Sequence, residues 1–300
     1  MKFILPVPYN FNFWRTVYSH GWCSLPPFRV VKDEFCLRMA LNASPHKAVA
    51  IGVTQPSRGR LEIEASSRDG LSSREKGNII PQVKASLRLD EDFGGFHREA
   101  RKQGAFRWVA RMRAGRLLRA PTVFEDVIKM ICTTNCTWAL TEVMVGNLCT
   151  KLGKSLGEGE YAFPQPEAIA NVTEKFLRKE IRAGYRAPYL LEVSRRIIKG
   201  DLEIESWRQS TMPTEELYKL VRSVKGVGPY AAGNILKLLG RYDYLAIDSW
   251  CRKKFSELHK NGRKTSDVVI ERFYQALGKW KGLFFWLDIT KDWYEREFPF

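Results

Sequence analysis

The chain has 300 residues, 44% hydrophobic and 27% charged, with 49 Lys and Arg against 33 Asp and Glu for a formal charge of +16. This composition supports a sizeable core and about two domains, excludes a disordered chain, and favours a polyanionic partner. No stretch nears the roughly 20 apolar residues of a membrane span, and the opening MKFILPVPYN is too short an apolar run for a signal peptide.

The first hundred residues read as β-rich. Residues 28–31, 48–53 and 61–65 are alternating apolar runs separated by Pro, Gly, Ser and Asn, as in an antiparallel sheet with one solvated face. A loop rich in Ser, Arg and Gly is expected over 66–77, and the texture turns helical from Gln82, with Asp90, Asp92 and two glycines at the crossover. After Gly115 the pattern is almost all helical. Pro121 to Ile128 starts like a capped helix with acids in its first turn, and Val127, Met130, Ile131 and Thr134 continue at helical spacing. Further helices are expected over 166–170, 174–181, 187–199, 214–224, 229–239, 249–259 and 266–277. The fold class is therefore α+β, mainly α, divided into a β-rich domain over 1–105 and a helical region over 106–300. Fourteen basic and ten acidic residues fall in 1–100, leaving 35 and 23 in the helical region, which carries most of the excess charge.

Six cysteines are scattered without a Cys-x2-Cys pair. Cys132 and Cys136, four apart, are expected on one helix face as buried small hydrophobes. Zinc or cluster ligation is not expected, and a reduced, intracellular protein fits the pattern.

The most informative stretch is VKGVGPYAAGNILKLLGRYDYLAID, residues 224–248. Gly226 and Gly228 are expected to adopt conformations that a Cβ would forbid. Together with Lys225, Val227 and Tyr230 they form a hairpin whose N–H groups and following helix N-terminus suit a phosphate. Pro229 suits the first helical turn. Asp248 follows twenty residues past the second glycine, and a phosphate grip at a set distance from a carboxylate suggests a DNA-handling enzyme. Asp248 is also a good helix N-cap before Ser249, and the two roles are compatible.

Four ordered stretches resemble the helix-hairpin-helix DNA glycosylase superfamily, within it the branch of 8-oxoguanine and bacterial alkylpurine glycosylases. They are Gly115-Arg116-Leu117-Leu118-Arg119 followed by Ile131-Cys132-Thr133-Thr134-Asn135; Phe163-Pro164 followed by Gly184-Tyr185-Arg186-Ala187-Pro188-Tyr189; the hairpin; and Ile247-Asp248. The resemblance covers about residues 105–290. It implies two helical lobes around a DNA cleft, and a monomer that flips a damaged base out of duplex DNA and hydrolyses its glycosidic bond in base excision repair. Asp248 would then stabilise the positive charge that builds on deoxyribose and orient the attacking water.

By the same resemblance Tyr185 and Asn135 are the wedge and gap filler, and Arg186 reaches the estranged base. Trp138, Tyr230, Asn234, Trp250 and Phe285 would line the base pocket. Ordinary packing, capping and surface roles stand beside each of these readings.

The chain also departs from the pattern. Bifunctional members carry a lysine two positions after the second glycine, where this chain has Tyr230, and a phenol cannot form an imine. Lys225 replaces the usual proline and is expected to contact phosphate. Only Cys251 follows Asp248, so no iron–sulfur cluster or other cofactor is expected; a monovalent cation at the hairpin stays open. The expected activity is hydrolysis of an alkylated or deaminated purine without strand cleavage. The alternatives are an 8-oxoguanine glycosylase, with or without lyase activity, and a catalytically silent DNA-damage binder.

Overall fold

In the computed structural model, which describes residues 1–67 and 70–295, the N-terminal third forms a five-stranded antiparallel sheet. Its strands are β1 (Lys2–Pro6), β2 (Phe28–Val31), β3 (Cys36–Ser44), β4 (Lys47–Ser57) and β5 (Arg60–Ser66), in the order β1-β5-β4-β3-β2. Alternation sets its faces: Leu61, Ile63 and Ala65 of β5 point into the core, while Glu62 and Glu64 lie outward. Cross-strand register matches this, with Val53 opposite Ile63 and Met39 opposite Ile51.

Two of these strands differ from the sequence expectation. β3 is written in Leu, Arg, Met and Ala, which favour helix in isolation, and pairing on both sides overrides that preference. The opening apolar run is the edge strand β1, paired only with β5. A short helix α1 (Phe13–Val17) links β1 to β2.

Helix α2 (Ser73–Ser86) starts inside the stretch expected to be a loop, of which residues 68–69 lie outside the described residues. The cause is a capping box: the Ser72 hydroxyl accepts from the Glu75 N–H, and the Glu75 carboxylate accepts from the Ser72 N–H. Ile79 and Val83 of α2 are buried with the inner face of the sheet.

Helices α3 (Gly94–Lys102) and α4 (Arg107–Met112) follow, then α5 (Val123–Cys132). Every residue of α5 is buried, including Glu125, Asp126 and Lys129. Its charges are therefore paired: Glu125 meets Lys129 at 2.6 Å, and Asp126 accepts from the Trp22 indole at 2.8 Å. Thr122 caps α5, and Glu205 accepts from the Val123 and Phe124 N–H groups at 2.9 Å. α5 stops at Cys132, so Cys132 and Cys136 do not share a helix face. Cys136 lies in the following turn, its thiol donating to the Cys132 carbonyl at 3.1 Å.

The chain continues with α6 (Trp138–Leu152), a small β6–β7 ribbon (Ser155–Gly157, Glu160–Tyr161), α7 (Pro166–Ala170), α8 (Glu174–Lys179) and α9 (Ala187–Ile198). α10 (Thr214–Arg222) and α11 (Pro229–Leu238) form the hairpin pair, followed by α12 (Ser249–His259), α13 (Asp267–Tyr274), α14 (Lys281–Ile289) and α15 (Lys291–Glu295). α6 is absent from the sequence expectations because its apolar residues form no single stripe. Only the Thr137 cap marks its start.

The buried side chains form two clusters. One joins the sheet, α2, α5, α6, α9, α10 and α11; the other joins α3, α4, α12, α13 and α14. Both draw on residues before and after position 105. Fully buried Arg88, Arg116 and Arg119 tie them together through Glu91: Arg119 meets Glu91 at 2.7 Å and Arg88 at 2.9 Å. Arg88 also donates to the Lys237 carbonyl and Arg119 to that of Leu238, so two guanidiniums cap the C-terminus of α11.

Candidate active site

The hairpin turn depends on one glycine rather than two. Gly226 has φ +86°, and a Cβ there would sit 2.6 Å from the Tyr189 ring, so both conformation and space require glycine. Gly228 has φ −78° and open space around it, a conformation any residue adopts. The Val227 side chain is buried and its N–H donates inward to the Val224 carbonyl at 3.1 Å. Gly228 is the N-cap of α11, whose first-turn N–H groups have no carbonyl within the helix and are the donors available to an anion. Lys225 projects to solvent and pairs with Glu192 of α9 at 2.9 Å.

Tyr189 connects the hairpin to a second exposed feature. Its ring lies 6.2 Å from that of Tyr185, which is 45% exposed. The Tyr185 hydroxyl donates to the Thr134 carbonyl at 3.2 Å and accepts from the exposed Asn135 side-chain amide at 3.4 Å. Asn135 has φ +46°, which asparagine tolerates. Residues 50 positions apart thus form one exposed pair. Arg186 is buried, donates to the Thr134 carbonyl and lies 4.5 Å from the centre of the Tyr185 ring. A guanidinium committed in this way braces the pair from below.

Asp248 sits at the seam of the two clusters. Tyr230 and Tyr244 pack on the first, Ile247 and Trp286 on the second. The segment before it lies close against α11, since a Cβ on Gly233 would come 3.2 Å from the Ala246 Cα. Asp248 caps α12, its Oδ1 accepting from the Cys251 N–H at 2.7 Å. The Tyr230 phenol lies near the same carboxylate; burial first, then that negative charge, push the phenol well above its ordinary pKa.

Asn234 lies one turn beyond Tyr230. Its amide donates to the Tyr230 carbonyl at 3.2 Å, and its Oδ1 accepts from the Lys237 ammonium at 3.3 Å. Lys237 is buried, 4.9 Å from the centre of the Trp286 ring. Burial draws its pKa from 10.5 down to about 8, while Cys251 and Asp248 oppose the shift. The Trp286 indole donates to the Ser19 carbonyl at 3.1 Å, which brings the loop after α1 into the same site.

Trp250 stands at the rim, 36% exposed, with its ring 6.3 Å from Trp286 and 5.8 Å from Trp293. Trp138 lies over Gly21 and donates to Glu142 at 3.0 Å. Phe285 does not line a pocket. It is completely buried against Tyr274, and its neighbour Trp286 faces Asp248's surroundings instead. Lys237 was absent from the residues expected in the site. The i, i+4, i+7 spacing of Tyr230, Asn234 and Lys237 was the available signal for the lysine. Two cavities contain none of these side chains: about 1240 Å³ over the outer sheet face, and about 640 Å³ between β3, α5 and residues 202–206.

Residues 128–283 match the sequence profile of the HhH-GPD superfamily base excision DNA repair proteins, more than half of the chain. The chain belongs to that family. It is therefore a DNA glycosylase of base excision repair. Among its relatives is a probable N-glycosylase/DNA lyase of Methanothermobacter thermautotrophicus, 27% identical over 276 residues and 84% of each chain.

Two solved structures share the whole fold. A 3-methyladenine DNA glycosylase from Archaeoglobus fulgidus has TM-score 0.76 at 20% identity, covering 97% of this chain and 99% of its own. The 8-oxoguanine glycosylase/lyase of Clostridium acetobutylicum has TM-score 0.72 at 22% identity, covering 96% and 95%. Among the described residues no helix is long and apolar enough to cross a membrane, and no group of three or more His, Cys, Asp or Glu could hold a metal.

Proposed function

We propose that this glycosylase is monofunctional: it releases an alkylated or deaminated purine from duplex DNA and leaves the abasic strand intact. The observation that carries this is Tyr230, a phenol close to Asp248 at the position where bifunctional members hold their nucleophilic lysine. In the proposed reaction the C1′–N9 bond breaks and its electron pair leaves with the base. Asp248 stabilises the cationic sugar and takes a proton from the water whose oxygen bonds to C1′; a deaminated base takes up a proton at nitrogen as it leaves, whereas a cationic N-alkylated base leaves neutral and the proton passes to solvent. Water and side chains supply the chemistry, with no cofactor. Tyr185 and Asn135 fill the gap left by the flipped nucleotide. The α11 N-terminus and Lys225 hold a backbone phosphate, with room for a monovalent cation at the turn.

A second reading, an 8-oxoguanine glycosylase with a strand-cutting step, draws on the names of the Methanothermobacter and Clostridium proteins. Borohydride trapping on duplexes bearing 3-methyladenine, 7-methylguanine, hypoxanthine, uracil or 8-oxoguanine separates the two. Base release without a trapped covalent adduct is expected, and an adduct formed at the rate of base release favours the second reading. DNA binding with no base released from any duplex would instead indicate a silent binder.

A further inference from the structure

Lys237 is a costly residue for its place. A buried ammonium must be compensated, yet it has one weak amide partner and an aromatic face. Its backbone is held by Arg88, so the side chain emerges from a fixed point of α11. It lies on the side of the helix that carries Tyr230 and Asn234, toward Asp248, and its stacking partner Trp286 is next to the rim residue Trp250. A cation kept at a cost to stability beside a reactive carboxylate is what a binding group looks like.

We propose that Lys237 reads the flipped base, donating a hydrogen bond from Nζ to a purine carbonyl and thereby selecting neutral, carbonyl-bearing purines over cationic N-alkylated ones. This rests on the glycosylase reading above and narrows its substrate class. Deamination turns the amino donor at position 6 of adenine into a carbonyl acceptor. An ammonium can bond to hypoxanthine there and repels the amino group of intact adenine. It also repels 7-methylguanine, whose ring is positively charged. When the C1′–N9 bond of a neutral purine breaks, the departing electron pair spreads onto the ring and its carbonyl, where Lys237 stabilises it. An N-alkylated purine leaves as a neutral base and needs no such help.

The test is single-turnover base release from duplexes carrying hypoxanthine or 7-methylguanine, for the wild type and Lys237→Met. Wild type is expected to favour hypoxanthine. The variant should lose about 10- to 100-fold on hypoxanthine, the scale of one charge-assisted hydrogen bond, and keep or gain activity on 7-methylguanine. Its melting temperature should hold or rise, because a buried charge is gone.

The wild type offers a second measurement. Hypoxanthine release should fall as pH rises through about 8, while 7-methylguanine release holds or rises. The charged and titratable groups facing Lys237 are Asp248, Cys251 and His20. Burial moves His20 down to about 3 and Cys251 up to about 12, away from that pH. A wild-type preference for 7-methylguanine overturns the inference, as does an equal loss on both lesions in the variant, or a trapped adduct that Lys237→Met abolishes. Wild-type protein that binds DNA but releases neither base counts against the glycosylase reading itself.

Discussion

Asp248 caps α12 with the carboxylate that stabilises the sugar's charge in the proposed reaction. Its cap bond to the Cys251 N–H fixes the carboxylate, and the Tyr230 hydroxyl lies close to it. Asp248→Asn keeps an acceptor for the cap, so the fold should persist while base release falls at least about 100-fold in single-turnover assays, the scale of one electrostatic stabiliser. Tyr230→Phe removes the hydroxyl near the carboxylate and keeps the ring. A loss of roughly 2- to 10-fold is expected, with no change in DNA affinity. These side chains show how far residue-level reading reaches. Asp248, Tyr230 and Asn234 were legible because motif spacing places them on one helix and its sequel. Phe285 was not, since a run of Phe284, Phe285 and Trp286 does not say which ring turns inward; packing against Tyr274 decides that.

At the scale of elements, α9 braces the apparatus on one side. Tyr189 lies under Gly226, Glu192 pairs with Lys225, and Tyr185 precedes the helix. Gly226→Ala should therefore cost about 1 kcal/mol or more in stability, from both positive φ and the clash with Tyr189, and should weaken DNA binding as the turn opens; denaturant melts and titration of an abasic duplex measure the two effects. The other end of α11 rests on the arginine cluster. Replacing Glu91 by Ala leaves Arg88 and Arg119 short of their shared anion inside the protein, and a loss of about 3–5 kcal/mol in unfolding free energy is expected.

For the whole molecule, charge and pH give the clearest readouts. Affinity for undamaged duplex should fall with salt at a log–log slope of about −0.9 per phosphate neutralised, and Lys225→Ala should lower that slope by about one contact without changing base release at saturation. Acid stability turns on His20. Its ring bonds to the Leu118 carbonyl at 2.5 Å, and burial lowers its pKa from 6.5 to about 3. The unfolded chain therefore takes up this proton first, so the contribution of His20 is intact above pH 6.5 and is lost as pH falls toward 3. Glu125 and Asp126, raised by burial, act in the opposite direction. The effect is read as a difference: melting temperature should fall between pH 7 and 5 more steeply in wild type than in His20→Gln.

The sequence by itself determined the class of fold, the hairpin with its glycine and proline, the carboxylate after it and the family. These rest on local chemistry: turn conformation, capping and spacing along one helix. It also held the period that places Tyr230, Asn234 and Lys237 on one side of α11. Only the tertiary structure decided that β3 is a strand, that Arg186 is buried beneath Asn135 and Tyr185, and that Trp286 rather than Phe285 stands beside Lys237. Each of those outcomes depends on a partner far away in the chain, and the burial it creates is a property of the packed seam that no single segment carries.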